Sequence, residues 1–103
     1  MEIDLSKYGF REGFNWENRF DLKTIVGDYE VSTVDLGLNH QFDDNLPPLY
    51  YETMIFIKSD DFEERHSKES PFHYYQERYS TEEEARIGHQ KAIEYVKNRL
   101  ERL

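Results

Sequence analysis

Tyr79-Ser80-Thr81-Glu82-Glu83-Glu84-Ala85-Arg86-Ile87-Gly88-His89 joins the end of a strand to a complete helix start. The Thr81 hydroxyl is placed to accept from the N–H of the third helical residue. Glu84, which occupies that position, is placed to reach back to the Thr81 N–H, so the pair reads as a capping box. Glu82, Glu83 and Glu84 set negative charge against the positive end of the helix dipole, and Lys97, Arg99 and Arg102 set positive charge at the other end. From Ala85, apolar residues recur at helical spacing through Ala92, Val96, Leu100 and Leu103, with Ile93 flanking the stripe and His89 on or beside it. The spacing predicts an amphipathic helix over 81–102. A glycine inside a helix costs about 1 kcal/mol relative to alanine. Gly88 therefore predicts a close approach, with a strand aromatic lying over it.

Upstream of this helix the pattern changes to that of strands. Phe72 to Tyr79 reads as one, and Tyr50 to Lys58 as another with apolar residues on both faces. Leu22 to Val26, the Gly27-Asp28 pair and Tyr29 to Leu38 read as a hairpin about a two-residue II′ turn. Tyr29, Val31 and Thr33 share one face of the second strand while Val34, Leu36 and Leu38 share the other. That change of phase predicts a bulge or two-sided burial, with Gly37 the candidate for the irregularity. Asn39 to Pro48 is a loop closed by Pro47-Pro48, and Ser59 to Pro71 a charged connection expected to be solvated and mobile.

These segments predict an α+β fold, an antiparallel three- to four-stranded β-meander with one C-terminal amphipathic helix packed on one face. The expected organisation is a single domain over 1–103, with an irregular aromatic arm at 1–21, the sheet at 22–79 and the helix at 81–102. One helix covers one side of such a sheet. With Tyr50, Met54, Phe56, Tyr75 and Tyr79 assigned to the helix side, Tyr51, Ile55, Phe72 and Tyr74 are left needing cover from the arm, a second copy or a foreign partner.

Composition narrows the function classes. A chain of 103 residues with 16% aromatic residues has the ring area to build a core, and its lack of cysteine removes disulfides, thiolate metal sites and cysteine nucleophiles. The start, Met1-Glu2-Ile3-Asp4-Leu5-Ser6-Lys7, has no basic segment leading into an apolar run. The expectation is a soluble, unexported protein of the host cell cytoplasm. A formal charge of −9 opposes direct binding to nucleic acid or anionic membrane and favours a neutral or basic protein partner.

Three strings, Thr33-Val34-Asp35-Leu36-Gly37-Leu38-Asn39-His40, Pro47-Pro48-Leu49-Tyr50-Tyr51-Glu52-Thr53-Met54-Ile55-Phe56 and Arg78-Tyr79-Ser80-Thr81-Glu82-Glu83-Glu84-Ala85-Arg86-Ile87-Gly88-His89, together resemble a family of small uncharacterised phage and prophage proteins. The resemblance covers roughly residues 29 to 97. It implies a phage context and a small cytoplasmic or accessory role, and it transfers no catalytic residue.

The residues offer one weak catalytic or metal-binding constellation, His40, Glu52 and His89, because a histidine and a carboxylate form the usual acid–base or hard-metal pairing. The plainer reading of His89 is a core histidine bonded to Glu52 or to a backbone carbonyl across the sheet. His66 and His73 flank the acidic connection as a second metal candidate. Without a nucleophile elbow or a phosphate-cradling glycine loop, no cofactor is expected.

Binding has more support. Tyr51, Phe72, Tyr74 and Trp16 are candidate anchors of a partner interface, with Asp60, Asp61, Glu63 and Glu64 as its acidic rim. Those acids, with Glu82, Glu83 and Glu84, also suit imitation of nucleic-acid phosphate. The leading expectation is a non-enzymatic phage accessory protein that binds another protein, an inhibitor of a host or anti-phage defence factor of the anti-CRISPR or anti-restriction type. The rivals are a small hydrolase or metal-dependent enzyme using His40, Glu52 and His89, and a homo-oligomeric phage structural component built as a homodimer.

Overall fold

The hairpin turn sets the register of the sheet. In the computed structural model, which describes residues 9–102, Gly27 has φ of 61° and Asp28 does not share the positive value. That is the II′ pattern, whose twist matches the two strands it joins. β1 (Asp21–Val26) and β2 (Tyr29–Asp35) pair from Val26 opposite Tyr29 out to Asp21 opposite Val34. β2 pairs with β3 (Tyr51–Ile57), and β3 with β4 (Gln76–Tyr79), giving a four-stranded antiparallel sheet in sequence order. A one-turn helix, α1 (Phe62–Arg65), lies between β3 and β4, and α2 (Glu82–Glu101) follows β4. Leu5, Tyr8 and Leu103, assigned above to the arm and to the helix stripe, lie outside the described residues.

α2 begins where the capping signal places it. Glu84 N–H donates to Thr81 Oγ1 at 3.1 Å. The return bond differs from the expectation, since the Thr81 hydroxyl itself donates to Glu84 Oε1 at 3.1 Å. The buried stripe comprises Ala85, Gly88, His89, Ala92, Ile93 and Val96. The expected aromatic over Gly88 is Tyr79, whose ring and hydroxyl would lie 2.2 Å from a Cβ at that position.

Register assigns the two faces and corrects the expected assignment. Val31, Thr33 and Asp35 of β2 stand opposite Ile55, Thr53 and Tyr51 of β3. Val31 and Ile55 belong to the core with Val26, Phe72, Ala92, Ile93 and Val96, so this is the face that α2 covers. Tyr51 and Ile55 therefore share the helix side with Tyr79, and Met54 and Phe56 point the other way. Phe72 does not extend a strand. The Ser70 hydroxyl accepts from Phe72 N–H at 3.1 Å and Phe72 O accepts from Tyr75 N–H at 3.0 Å, so the chain turns before β4 and drives the ring into the core. No residue is inserted in either ladder of β2, so the change of phase is two-sided burial, with Thr33 buried on one face and Ser32 on the other. Gly37 lies just beyond β2, with φ of 73° and the Phe14 ring 2.7 Å from where its Cβ would stand.

The second face is covered from within the chain by the acidic connection, which folds back as α1. Arg65 donates to both Glu30 carboxylate oxygens at 3.1 and 3.2 Å, and its guanidinium stacks on Phe56 at 4.7 Å. Farther along, Gln76 Nε2 and Arg78 Nε both donate to Glu52 Oε2 at 2.9 Å. The aromatic arm seals the end of the sheet instead: Arg11 pairs with Asp35, and Phe20 meets Tyr51 edge to face. Exposed pairs such as Arg86–Glu82 contribute at most about 1 kcal/mol. The shielded pairs Arg65–Glu30 and Arg78–Glu52 matter more, because removing one partner strands a charge on a partly buried surface.

Gly88→Ala is expected to lower unfolding free energy by about 1–3 kcal/mol through overpacking against Tyr79. Combining it with Tyr79→Ala, which empties the colliding volume, is expected to give less than the sum of the two single losses. Urea denaturation of the four proteins in this cycle checks it; additive losses would show that the two positions do not collide.

Candidate functional site

The histidine and carboxylate of the sequence constellation are separated by the sheet itself. His89 projects from α2 onto the covered face, and Glu52 lies on the opposite face held by Arg78 and Gln76. His40 sits in the loop after β2, where its N–H donates to Leu49 O at 2.9 Å. Among the described residues, no three His, Cys, Asp or Glu side chains gather as a metal would require. His66 and His73 border one small cleft with Met54 and Phe56, but His66 Nδ1 is occupied by Phe62 O at 2.8 Å.

His89 takes part instead in a row of side-chain hydrogen bonds beneath α2. Tyr79 donates to Thr53 Oγ1 at 3.1 Å, and Thr53 Oγ1 and Thr33 Oγ1 share a hydrogen bond of 2.6 Å. Thr33 Oγ1 is also hydrogen-bonded to His89 Nδ1 at 2.6 Å. His89 Nε2 is hydrogen-bonded to Thr24 Oγ1 at 2.9 Å. Both ring nitrogens of His89 and the hydroxyls of Thr24, Thr33, Thr53 and Tyr79 thus each have a hydrogen-bond partner within the row. Burial pushes the His89 pKa below its ordinary value, in keeping with the neutral form. Among the described residues no buried side-chain polar atom lacks a partner. The row is a network within the core in which both nitrogens of His89 are engaged.

Two exposed rings, Tyr74 and Tyr95, lie along the β4 side of the molecule. Tyr75, Glu77, Tyr79, Glu84, Ile87, Gly88 and Lys91 line a groove of about 410 Å³ between β4 and α2. A second depression of about 260 Å³ shares Tyr75 and Glu77 and adds Tyr74 and Tyr95. Tyr74 is 91% exposed, Ile87 51% and Tyr95 46%. Burial, together with the nearby Tyr79, Glu77 and Tyr95, pushes the Tyr75 phenol up to about 12, and burial also raises Tyr79. Both stay neutral at physiological pH, available for stacking and hydrogen bonding.

The sequence candidates divide on this map. Tyr74 is at the second depression, and Trp16 is half exposed on the arm with Arg19 stacked 4.6 Å over it. Phe72 is only 2% exposed, packed edge to face against Tyr29 and Tyr95, so it is corrected from interface anchor to core residue. Tyr51 is half buried between Phe20 and Arg11. Asp61 caps α1 by accepting from Glu64 N–H at 2.9 Å, and Asp60, Glu63 and Glu64 are exposed around it. The sequence reading missed Ile87, Lys91 and Tyr95 as groove residues. Their spacing of four places them on one row of α2 beside the core stripe, and two members of that row are apolar. No helix among the described residues is long and apolar enough to cross a membrane. Comparison with protein families, curated proteins and solved structures finds no match to this chain.

The His89 network makes stability depend on pH. With its folded pKa below the unfolded value of 6.5, the histidine binds a proton more readily in the unfolded chain, so stability is full above that value and is lost as pH falls below it. His89→Gln is expected to be less stable at neutral pH yet to lose less between about pH 7.5 and about pH 5.5. Urea denaturation at the two pH values measures this; equal losses would show that His89 does not govern the dependence.

Proposed function

We propose that this protein acts by binding another protein, with the β4 side of the molecule as its docking surface. The observation that supports the reading is that Tyr74, Ile87 and Tyr95, each exposed, border two depressions that share Tyr75 and Glu77, one of them also lined by Tyr79. Other exposed apolar residues, such as Phe42 and Phe62, stand on a loop and on α1 and require no special account. Aromatic side chains give large contact area while few torsions are immobilised, which is why they dominate binding hot spots. The surplus of acidic residues favours a basic partner surface and speeds encounter with it.

His40, Glu52 and His89 do not come together as one constellation, which favours the binding reading over a catalytic one. Within the phage context implied by the resemblance, the role proposed is that of a small accessory factor which inhibits a host or anti-phage defence protein. A partner bound at a groove needs no chemistry from the protein that fills its surface.

The full-length protein, immobilised and exposed to host lysate, is expected to retain one stoichiometric partner. Tyr74→Ala combined with Ile87→Ala is expected to weaken that complex by about 2 kcal/mol, roughly 30-fold, with the thermal transition little changed because both side chains are exposed. Recovery of no stoichiometric partner, or equal retention by the double variant, would overturn the reading.

A further inference from the structure

The groove beside β4 is bordered by a sheet edge. β4 is the last strand in the sheet order, so alternate backbone N–H and C=O groups along Gln76–Tyr79 face outward without a ladder partner. Glu77 and Tyr79 stand on the α2 side, as their ladder partners Thr53 and Tyr51 do, and Tyr75 packs against the core on the same side. Glu84, Ile87 and Lys91 of α2 form the opposite wall. An unpaired strand edge beneath an overhanging helix wall, with about 410 Å³ between them, has the form of a slot for one more strand.

A second copy of this chain fits the slot poorly. Antiparallel pairing of β4 with its own copy about a two-fold axis keeps each residue opposite one on the same face, so the registers centred on the strand set Glu77 against Glu77 or Arg78 against Arg78. Like charges directly opposite each other are destabilising. A foreign strand meets a different pattern. The residue it places opposite Glu77 enters the groove, whose charged lining is Glu77 and Glu84 against the single Lys91, so that a lysine or arginine is matched. The residues two positions to either side face Tyr75 and Tyr79, where apolar side chains are matched.

We infer that β4 is a strand-addition edge, and that its occupant is an extended segment of a partner protein carrying a basic residue with an apolar residue two positions away on each side. The inference rests on the protein-binding reading and specifies its mode. Backbone hydrogen bonds to Gln76–Tyr79 supply affinity, while Glu77, Glu84 and the two tyrosines supply selection.

The test uses the full-length ¹⁵N-labelled protein and the capped peptide Thr-Val-Thr-Lys-Thr-Val-Thr. Titration is expected to shift and slow the exchange of amides in Gln76–Tyr79. A peptide with glutamate in place of lysine is expected to bind at least about tenfold more weakly, and Glu77→Lys to reverse that preference. N-methylation of alternate peptide amides, in the set that faces β4, is expected to abolish binding. Absence of binding by the lysine peptide, unchanged β4 exchange on binding, or equal binding by the N-methylated peptide would each overturn strand addition. None of these touches the protein-binding reading, which fails separately if no Tyr74-dependent partner is retained from lysate.

Discussion

The height at which α2 rides over the sheet is set by the side chain that Gly88 lacks. Tyr79 fills that space with its ring, and its hydroxyl continues inward to Thr53. With the helix this close, small residues suffice to fill the core beneath it: Ala85, Ala92 and Val96 are completely buried, as is Val31 below them. The same closeness brings His89 within hydrogen-bonding distance of Thr24 and Thr33, which belong to two different strands. A glycine that weakens the helix as an isolated element thus makes its packing possible, and the local loss is offset by dispersion contacts and a satisfied polar row.

The parts of this fold legible in the sequence are those specified by neighbours in the chain. The Thr81 cap, the II′ turn at Gly27-Asp28 and the approach over Gly88 each depend on residue types that have few alternative uses at those positions. The facing of β3 was not legible, because Tyr50 to Lys58 carries apolar residues at both parities and a period of two then has no preferred phase. Thr33 and Thr53 deepen the ambiguity. They resemble solvent-facing strand residues, yet both are fully buried because each hydroxyl finds its partner inside the protein.

α1 escaped the sequence reading for a related reason. Asp61 and Glu64 have the same spacing as Thr81 and Glu84, but one turn is too short for any periodicity to appear. Its anchor is the pairing of Arg65 with Glu30, 35 positions away, which only the folded chain brings together. The candidate groove was hidden by the strength of the core stripe beside it. Once Ala85, Ala92 and Val96 define the inward direction, Ile87, Lys91 and Tyr95 read as solvent positions, and the edge strand that gives them meaning is visible only in three dimensions.

The packing of Leu100 against Gly27, where an added Cβ would stand 3.1 Å from its methyl, ties the far end of α2 to the first hairpin turn. Val26, Val31 and Ile55 are emitted early in synthesis, whereas Ala92, Ile93 and Val96, which shield them from water, come much later. A nascent chain leaving the ribosome would therefore expose an oily sheet surface until translation has passed α2. Completion of the native state therefore waits until α2 is made and clear of the ribosome, and until then chaperones or neighbouring chains can meet that surface.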